Sequence, residues 1–129
     1  MPEAEDLLGK DADAPLALAA AATGLGTIVL DPGHGGQSDL AGSAANHAIS
    51  KSGVKEKKLT LDFCLILRDE LMNQAQKAGE SIKVAMTRTT DVNLSLAGRA
   101  KLAFTEKAKL FLCLHFNGDS NPAIRGAET

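Results

Sequence analysis

The chain has 129 residues, of which 44% are hydrophobic and 23% charged; this is the balance of one globular domain and excludes a wholly disordered protein. Its formal net charge is −2 and its only aromatic residues are four Phe. A nucleic-acid-binding domain normally has a basic surface and stacking aromatic rings, so this class is disfavoured. The sequence contains no apolar run long enough to suggest a membrane span.

The first 25 residues differ in composition from the rest of the chain. Most charged side chains at positions 1–13 are acidic, and residues 14–22 are nearly all Ala, Leu and Pro. The apolar stretch is similar to the core of a signal peptide, but such a core follows a positively charged segment and not an acidic one. We therefore predict a tail or linker over residues 1–25 and a domain over residues 26–129.

The domain begins with a short strand and a long loop. Residues 27–30 are β-branched and apolar and stop at Asp31, which predicts a buried strand. A loop rich in Gly, Ser, Asn and Ala follows, with 21 residues between His34 and Glu56. Loops of this length in compact domains are usually functional or disordered. Apolar side chains spaced by three and four residues then predict a helix that opens at Glu56 and stops at Gly79.

Three further elements complete the pattern. The sequence predicts a second strand at Ile82–Met86, a second helix over about residues 95–108 with Asn93 or Ser95 as its cap, and an apolar third strand over residues 109–115. This order predicts an α/β fold with a mostly parallel twisted sheet and helices on both faces. Three strands and two helices leave a sheet edge and a helix face uncovered, so we expect an incomplete sheet.

Two of the three His residues follow predicted strand ends. His34 lies just past the first strand and His115 at the end of the third, so both should project from the same rim of a parallel sheet. Glu56, at the start of the first helix, belongs to the same rim. Two imidazoles and a carboxylate form a known catalytic zinc set with a fourth position open for water. A Glu that only complements the helix dipole remains the alternative.

Two neighbours of these residues are candidates for orienting them. Metal-bound His usually bonds a partner through its other ring nitrogen, so Asp31 is predicted to orient His34. Asn117 is predicted to act similarly on His115. Turn-forming Asp and Asn are the alternative for both. His47 is expected to be an exposed loop residue, with a role at the mouth of the cleft as the alternative.

The sequence resembles a known enzyme family through a series of motifs in the right order. The segment Asp-Pro-Gly-His-Gly-Gly at residues 31–36 resembles the opening motif of the zinc-dependent N-acetylmuramoyl-L-alanine amidases of the amidase_3 type. Glu56-Lys57, the Thr-Arg pair at residues 87–88 with Asp91, the His-x-Asn at residues 115–117 and the Gly-x-Glu at residues 126–128 resemble later motifs of that family.

The resemblance implies zinc ligands at His34, Glu56 and His115 and hydrolysis of the amide between N-acetylmuramic acid and L-alanine in peptidoglycan. It also implies a peptidoglycan or muropeptide partner and a location in the periplasm or extracellular cell wall. In the family a late Glu acts as catalytic acid/base, and its segment lies beyond Thr129. We therefore expect the sequence to be truncated at its C-terminus and its activity impaired. The alternative is a non-catalytic zinc or cell-wall-binding module.

The remaining polar and sulfur-containing residues have structural expectations. Arg88 and Arg99 are predicted to pair with carboxylates or cap carbonyls, with contact to substrate as the alternative. Lys55, Lys57 and Lys58 are expected to form a solvated helix start, with contact to stem-peptide carboxylates as the alternative. Cys64 and Cys113 lie in apolar runs and are predicted to be buried free thiols, with a single disulfide as the alternative. A phosphate-binding loop after the first strand is disfavoured because no G-x-G-x-x-G or Gly-Lys-Ser/Thr motif is present.

Overall fold

All five predicted elements are present in the computed structural model, which describes residues 24–129. Of the predicted tail at residues 1–25, residues 1–23 lie outside the described residues. The elements in chain order are β1 Gly26–Pro32, α1 Glu56–Lys77, β2 Ile82–Met86, α2 Leu96–Thr105 and β3 Leu110–Leu114.

The three strands form one parallel sheet in the order β2-β1-β3. β1 pairs with β2 from Gly26 opposite Ile82 onward, and with β3 from Ile28 opposite Leu110 onward. The connection through α1 joins the central strand β1 to the edge strand β2. The connection through α2 then crosses back over β1 to the other edge strand, β3. Since such crossovers are right-handed, the two helices lie on opposite faces. The predicted α/β class is confirmed.

Element ends differ from the predictions where pairing or capping decides them. β1 extends to Pro32 because its last residues pair with Cys113 and Leu114 of β3, which carries the strand to the rim that we predicted for the site. α2 is shorter than predicted. It is capped by Ser95, whose hydroxyl accepts from the Gly98 N–H at 3.0 Å, and past its end Lys107 adopts a φ of 50°.

The buried apolar core of the described residues is small. It consists of Val29 and Leu30 from β1 with Cys64 and Ala75 from α1. Both cysteines are free thiols, so the alternative of a disulfide is not realised. The prediction of burial is correct for Cys64, whose pKa burial raises to about 11. It is wrong for Cys113, which is exposed because it lies on the face of β3 that lines the open groove beside α2.

The surface formed by α2 and β3 leaves apolar side chains exposed. Phe104 is 86% exposed, and Leu96 and Phe111 are also exposed. A shallow groove of about 330 Å³ runs between the helix and the edge strand. Within residues 24–129, neither helix combines the length and the apolar character needed to cross a membrane.

Candidate metal centre

The three predicted ligand residues come together at the rim where β1 and β3 end. His34 Nε2 lies 3.1 Å from His115 Nδ1 and 3.2 Å from Glu56 Oε2, and His115 Nδ1 lies 3.2 Å from Glu56 Oε1. The two imidazole rings meet edge to face, with centroids 4.7 Å apart. Among the described residues this is the one group of three or more His, Cys, Asp or Glu side chains whose ligand atoms converge in this way.

The orientation of His34 is set at both its backbone and its ring. Its backbone φ of 64° is unusual for a residue with a side chain. The ring Nδ1 lies 2.8 Å from the Ala44 carbonyl oxygen. Because a carbonyl only accepts, Nδ1 carries the proton and donates, so in the neutral ring Nε2 offers a lone pair to the cluster.

Glu56 enters the cluster from the first turn of α1 and is almost fully buried. Burial raises the pKa of its carboxyl, but backbone N–H groups of Phe116 and Ala48 donate to it at 2.8 and 3.1 Å, and His34 adds a favourable charge interaction. The net result is a pKa below its ordinary value. Glu56 is therefore an ionised carboxylate, the form in which it would bind a cation.

His115 lies just past β3, and its side chain is half-exposed. Its ring packs against the backbone of Gly33, where a Cβ atom would lie 2.4 Å from His115 Cε1 and 2.7 Å from its Nδ1. A side chain at position 33 would displace the ring. The glycine of the Asp-Pro-Gly-His segment is thus required by the close approach of a ligand residue.

The donor set fits a tetrahedral metal ion. With zinc–ligand distances of about 2.0–2.1 Å, tetrahedral geometry separates two ligand atoms by about 3.3 Å, close to the 3.1 Å between the two imidazole nitrogens. Each imidazole faces a different oxygen of Glu56 at 3.2 Å, and one ligand atom from each of the three residues lies within 4.8 Å of the others.

The predicted contacts of Asp31 with the His34 ring and of Asn117 with the His115 ring are not found. The Asp31 carboxylate instead accepts from the Thr87 hydroxyl at 2.6 Å and from Arg99 Nη1 at 2.7 Å, while the Ala44 carbonyl takes the place beside His34. Asn117 donates to Glu128 Oε2 at 2.9 Å. The predicted orienting role is therefore wrong for Asp31 at the level of direct contact, because its carboxylate points into the fold toward Arg99.

Lys57 departs from the expectation of a solvated helix start. It is buried, and its amino group donates to the Gly36 carbonyl at 2.6 Å and to Asp91 Oδ2 at 2.8 Å. Lys58 fits the expectation, since it is exposed and paired with Asp62 one turn along the helix. Lys57 thus ties the glycine-rich loop to the turn after β2, and its burial is compensated by a carboxylate.

Arg88 and Arg99 have the structural contacts that were predicted. Both are almost completely buried. Arg88 donates to the carbonyls of Pro32 and Gly33 at 3.0 and 2.9 Å, and Arg99 to those of Pro32 and His34 at 2.9 Å each. Three successive carbonyls at the end of β1 are therefore held by two cations.

Several residues of the long loop at positions 37–55 support the centre without a sequence signal. Ala44 supports His34, and Ala48 supports Glu56. The side-chain oxygen of Asn46 accepts the Lys57 N–H at 3.0 Å and so caps the start of α1 from outside the helix. Two of these contacts use backbone atoms, which any residue type could supply. His47 is exposed as expected, and its ring lies parallel to that of His34 with centroids 6.5 Å apart.

Comparison with known proteins identifies the family. A model of the Amidase_3 family, described as N-acetylmuramoyl-L-alanine amidase, matches residues 28–129. The chain belongs to this family. It is 40% identical over 90 residues to the N-acetylmuramoyl-L-alanine amidase CwlM of Bacillus licheniformis and 34% identical over 100 residues to AmiA of Escherichia coli.

The fold agrees with solved amidase structures. The N-acetylmuramoyl-L-alanine amidase from Clostridium difficile 630 superposes with a TM-score of 0.62 and 31% identity, over 78% of this chain and 48% of that one. The matches to CwlM and AmiA cover 70% and 78% of this chain but 31% and 30% of those proteins. The chain thus spans about a third of the length of these amidases.

Proposed function

We propose that this chain forms the metal-binding part of an amidase that hydrolyses the bond between N-acetylmuramic acid and L-alanine in peptidoglycan, with one zinc ion held by His34, Glu56 and His115. The observation that carries the proposal is the convergence of two imidazoles and one carboxylate at the rim of a sheet, with ligand atoms within 4.8 Å of one another, in a chain of the Amidase_3 family. A zinc ion at such a site polarises the scissile carbonyl and acidifies a water molecule.

The described residues act on this centre by positioning its donors. The Ala44 carbonyl keeps His34 in the tautomer that presents Nε2. Two backbone N–H groups keep Glu56 ionised and fix both of its oxygens. His115 is half-exposed, so the centre is open to a large substrate on the side of β3. Because the proposed substrate is peptidoglycan, we place the activity in the cell wall or periplasm.

The 129-residue chain prepared alone is expected to hydrolyse its substrate slowly. Within residues 24–129, Glu56 is the carboxylate that contacts the ligand imidazoles, and it belongs to the donor set itself. Loss of a separate general base costs about 10²–10⁴ in rate. We therefore propose slow hydrolysis by this chain.

The first test is the zinc content of the purified chain beside two His variants. We expect about one zinc per chain for the unmodified protein, since three ligands and one open position form one site. His34→Ala should lose the zinc, whereas His47→Ala should keep it, because that exposed ring is not in the donor set. Circular dichroism confirms that each protein is folded. A folded, unmodified chain without zinc would overturn the proposed centre.

The second test is release of stem peptide from purified peptidoglycan. We expect slow release that a chelator abolishes and added zinc restores. Release that persists in the folded double variant His34→Ala, His115→Ala would exclude the zinc mechanism. Zinc binding with capture of peptidoglycan but no release would favour a binding module over an amidase.

A further inference from the structure

One side chain, that of Arg99, bonds the main chain on both sides of the left-handed backbone of His34. Arg99 Nη2 donates to the His34 carbonyl at 2.9 Å, and Arg99 Nη1 donates to the Pro32 carbonyl at 2.9 Å. These two acceptors flank the turn in which the chain leaves β1. Since a non-glycine residue rarely adopts a φ of 64°, the two bonds stabilise a conformation that the sequence does not favour locally.

The same guanidinium also reaches the loop that fixes the His34 ring. Arg99 Nη2 lies 3.3 Å from Ser43 Oγ and 3.2 Å from Asn93 Oδ1, and Asn93 in turn bonds both the hydroxyl and the carbonyl of Ser43 at 2.8 Å. The next residue is Ala44, whose carbonyl accepts from His34 Nδ1. Arg99 therefore fixes the main chain of His34 directly and its imidazole through Ser43.

Arg99 itself is rigidly anchored. Its Nη1 pairs with Asp31 Oδ1 at 2.7 Å, and its Nε donates to the Leu94 carbonyl at 3.2 Å, while its side chain is only 4% exposed. Every nitrogen of the guanidinium is thus bonded, and the planar fork spans β1, the long loop and the turn before α2. A lysine ammonium has one nitrogen on a flexible stem and cannot make these bonds together.

Arg88 offers a matched comparison within the same chain. It is as deeply buried as Arg99 and donates to backbone carbonyls that include those of Pro32, Gly33 and Lys57. Its hydrogen bonds join β1 to α1 and do not include His34 or the residues around Ala44. The two arginines therefore have similar importance for folding and different relations to the metal ligand.

We propose that Arg99 is a positioning residue for the metal ligand His34, setting both its backbone conformation and the direction of its imidazole. The proposal rests on the proposed function, since it takes His34 as a zinc ligand. It assigns to Arg99 a contribution to zinc affinity that is separable from its contribution to the stability of the fold.

The test compares the zinc affinity of Arg99→Lys and Arg88→Lys by competition with a chromophoric chelator, alongside the melting temperature of each metal-free protein. We expect both variants to melt at lower temperature. Arg99→Lys should bind zinc about 10- to 100-fold more weakly, as when a group that orients a ligand is removed. Arg88→Lys should keep the affinity of the unmodified chain.

A milder pair of variants keeps the test decisive if Arg99→Lys does not fold. Ser43→Ala removes the hydroxyl that links Arg99 and Asn93 to the loop, and Ser52→Ala removes an exposed hydroxyl of the same loop. We expect weaker zinc binding in Ser43→Ala and unchanged binding in Ser52→Ala.

Equal zinc affinities in the two lysine variants, or in the two alanine variants, would overturn the role of Arg99 while the proposed function stands. An unmodified, folded chain that binds no zinc would overturn both. Weaker binding confined to Arg99→Lys and Ser43→Ala would establish the positioning role.

Discussion

At the carboxyl ends of the strands the buried side chains are polar or charged, whereas the surface formed by α2 and β3 presents apolar side chains to solvent. The buried polar residues are Asp31, His34, Ser43, Glu56, Lys57, Thr60, Arg88 and Arg99. No buried side-chain nitrogen or oxygen among the described residues lacks a hydrogen-bond partner. Within residues 24–129 the buried apolar core is formed by Val29, Leu30, Cys64 and Ala75.

This contrast shows how the candidate centre obtains its geometry. A fully satisfied polar network fixes directions as well as distances, because each hydrogen bond constrains an angle. Apolar packing on the α2 side fixes little, since Phe104 and Leu96 remain exposed. We therefore expect substitutions that remove contacts to His34, Glu56 or His115 to affect both stability and metal binding, and other substitutions in the polar network to affect mainly stability. Substitutions on the apolar surface should affect neither.

The largest effect is expected from removal of the buried carboxylate that anchors Arg99. Asp31→Ala leaves the guanidinium without its charge partner, and breaking a buried ion pair in this way costs about 3–5 kcal/mol. Asp62→Ala, which breaks an exposed pair with Lys58, should cost only about 0.2–1 kcal/mol. Urea denaturation of the metal-free proteins measures both. Similar losses in the two variants would contradict the contrast.

The next effect concerns the close approach of His115 to the end of β1. Gly33→Ala places a methyl group against the imidazole, so we expect overpacking to cost about 1–3 kcal/mol and zinc to bind at least about tenfold more weakly. Gly98→Ala, in the first turn of α2, is the control, because its methyl group would meet Ser95 Oγ and no atom of His34, Glu56 or His115. Unchanged zinc affinity in Gly33→Ala would show that the His115 ring can occupy another position.

A smaller effect is expected from pH at the pair of Lys57 and Asp91. The hydrogen bond from Lys57 lowers the pKa of Asp91 below its ordinary value of 3.8. A carboxyl with a lowered pKa in the folded state stabilises the fold above its unfolded pKa, and this contribution is lost as pH falls through the folded pKa. The melting temperature of the metal-free chain should exceed that of Asp91→Asn above pH 3.8 and converge with it in stronger acid. A constant difference at all pH values would refute this assignment.

The smallest effect is expected on the apolar surface. Phe104→Ser removes an aromatic side chain that is 86% exposed, and surface substitutions of this kind change the free energy of unfolding by at most about 0.5 kcal/mol. Leu30→Ala, in the buried core, should cost about 2–5 kcal/mol. If Phe104→Ser destabilises the chain as strongly as Leu30→Ala, the ring is packed in solution and the contrast between the two regions fails.

The sequence alone determined the order of elements, the parallel sheet and the grouping of His34, Glu56 and His115 at one rim. These follow from hydrophobic periodicity and from the rule that parallel strands end on the same side of a sheet. The motif at residues 31–36 also indicated the family, which the comparisons confirm. Local pattern was sufficient here because each inference depends on a residue's position along a strand or helix.

Only the tertiary structure decided how these side chains are held. The burial of Lys57, the close approach of Gly33 to His115 and the Ala44 carbonyl beside His34 join residues that are distant in sequence or use backbone atoms. The same holds for the exposure of Cys113, which depends on how openly α2 packs over that face of β3. A linear pattern gives the type of each residue, but hydrogen-bond direction and burial arise only when the elements pack together.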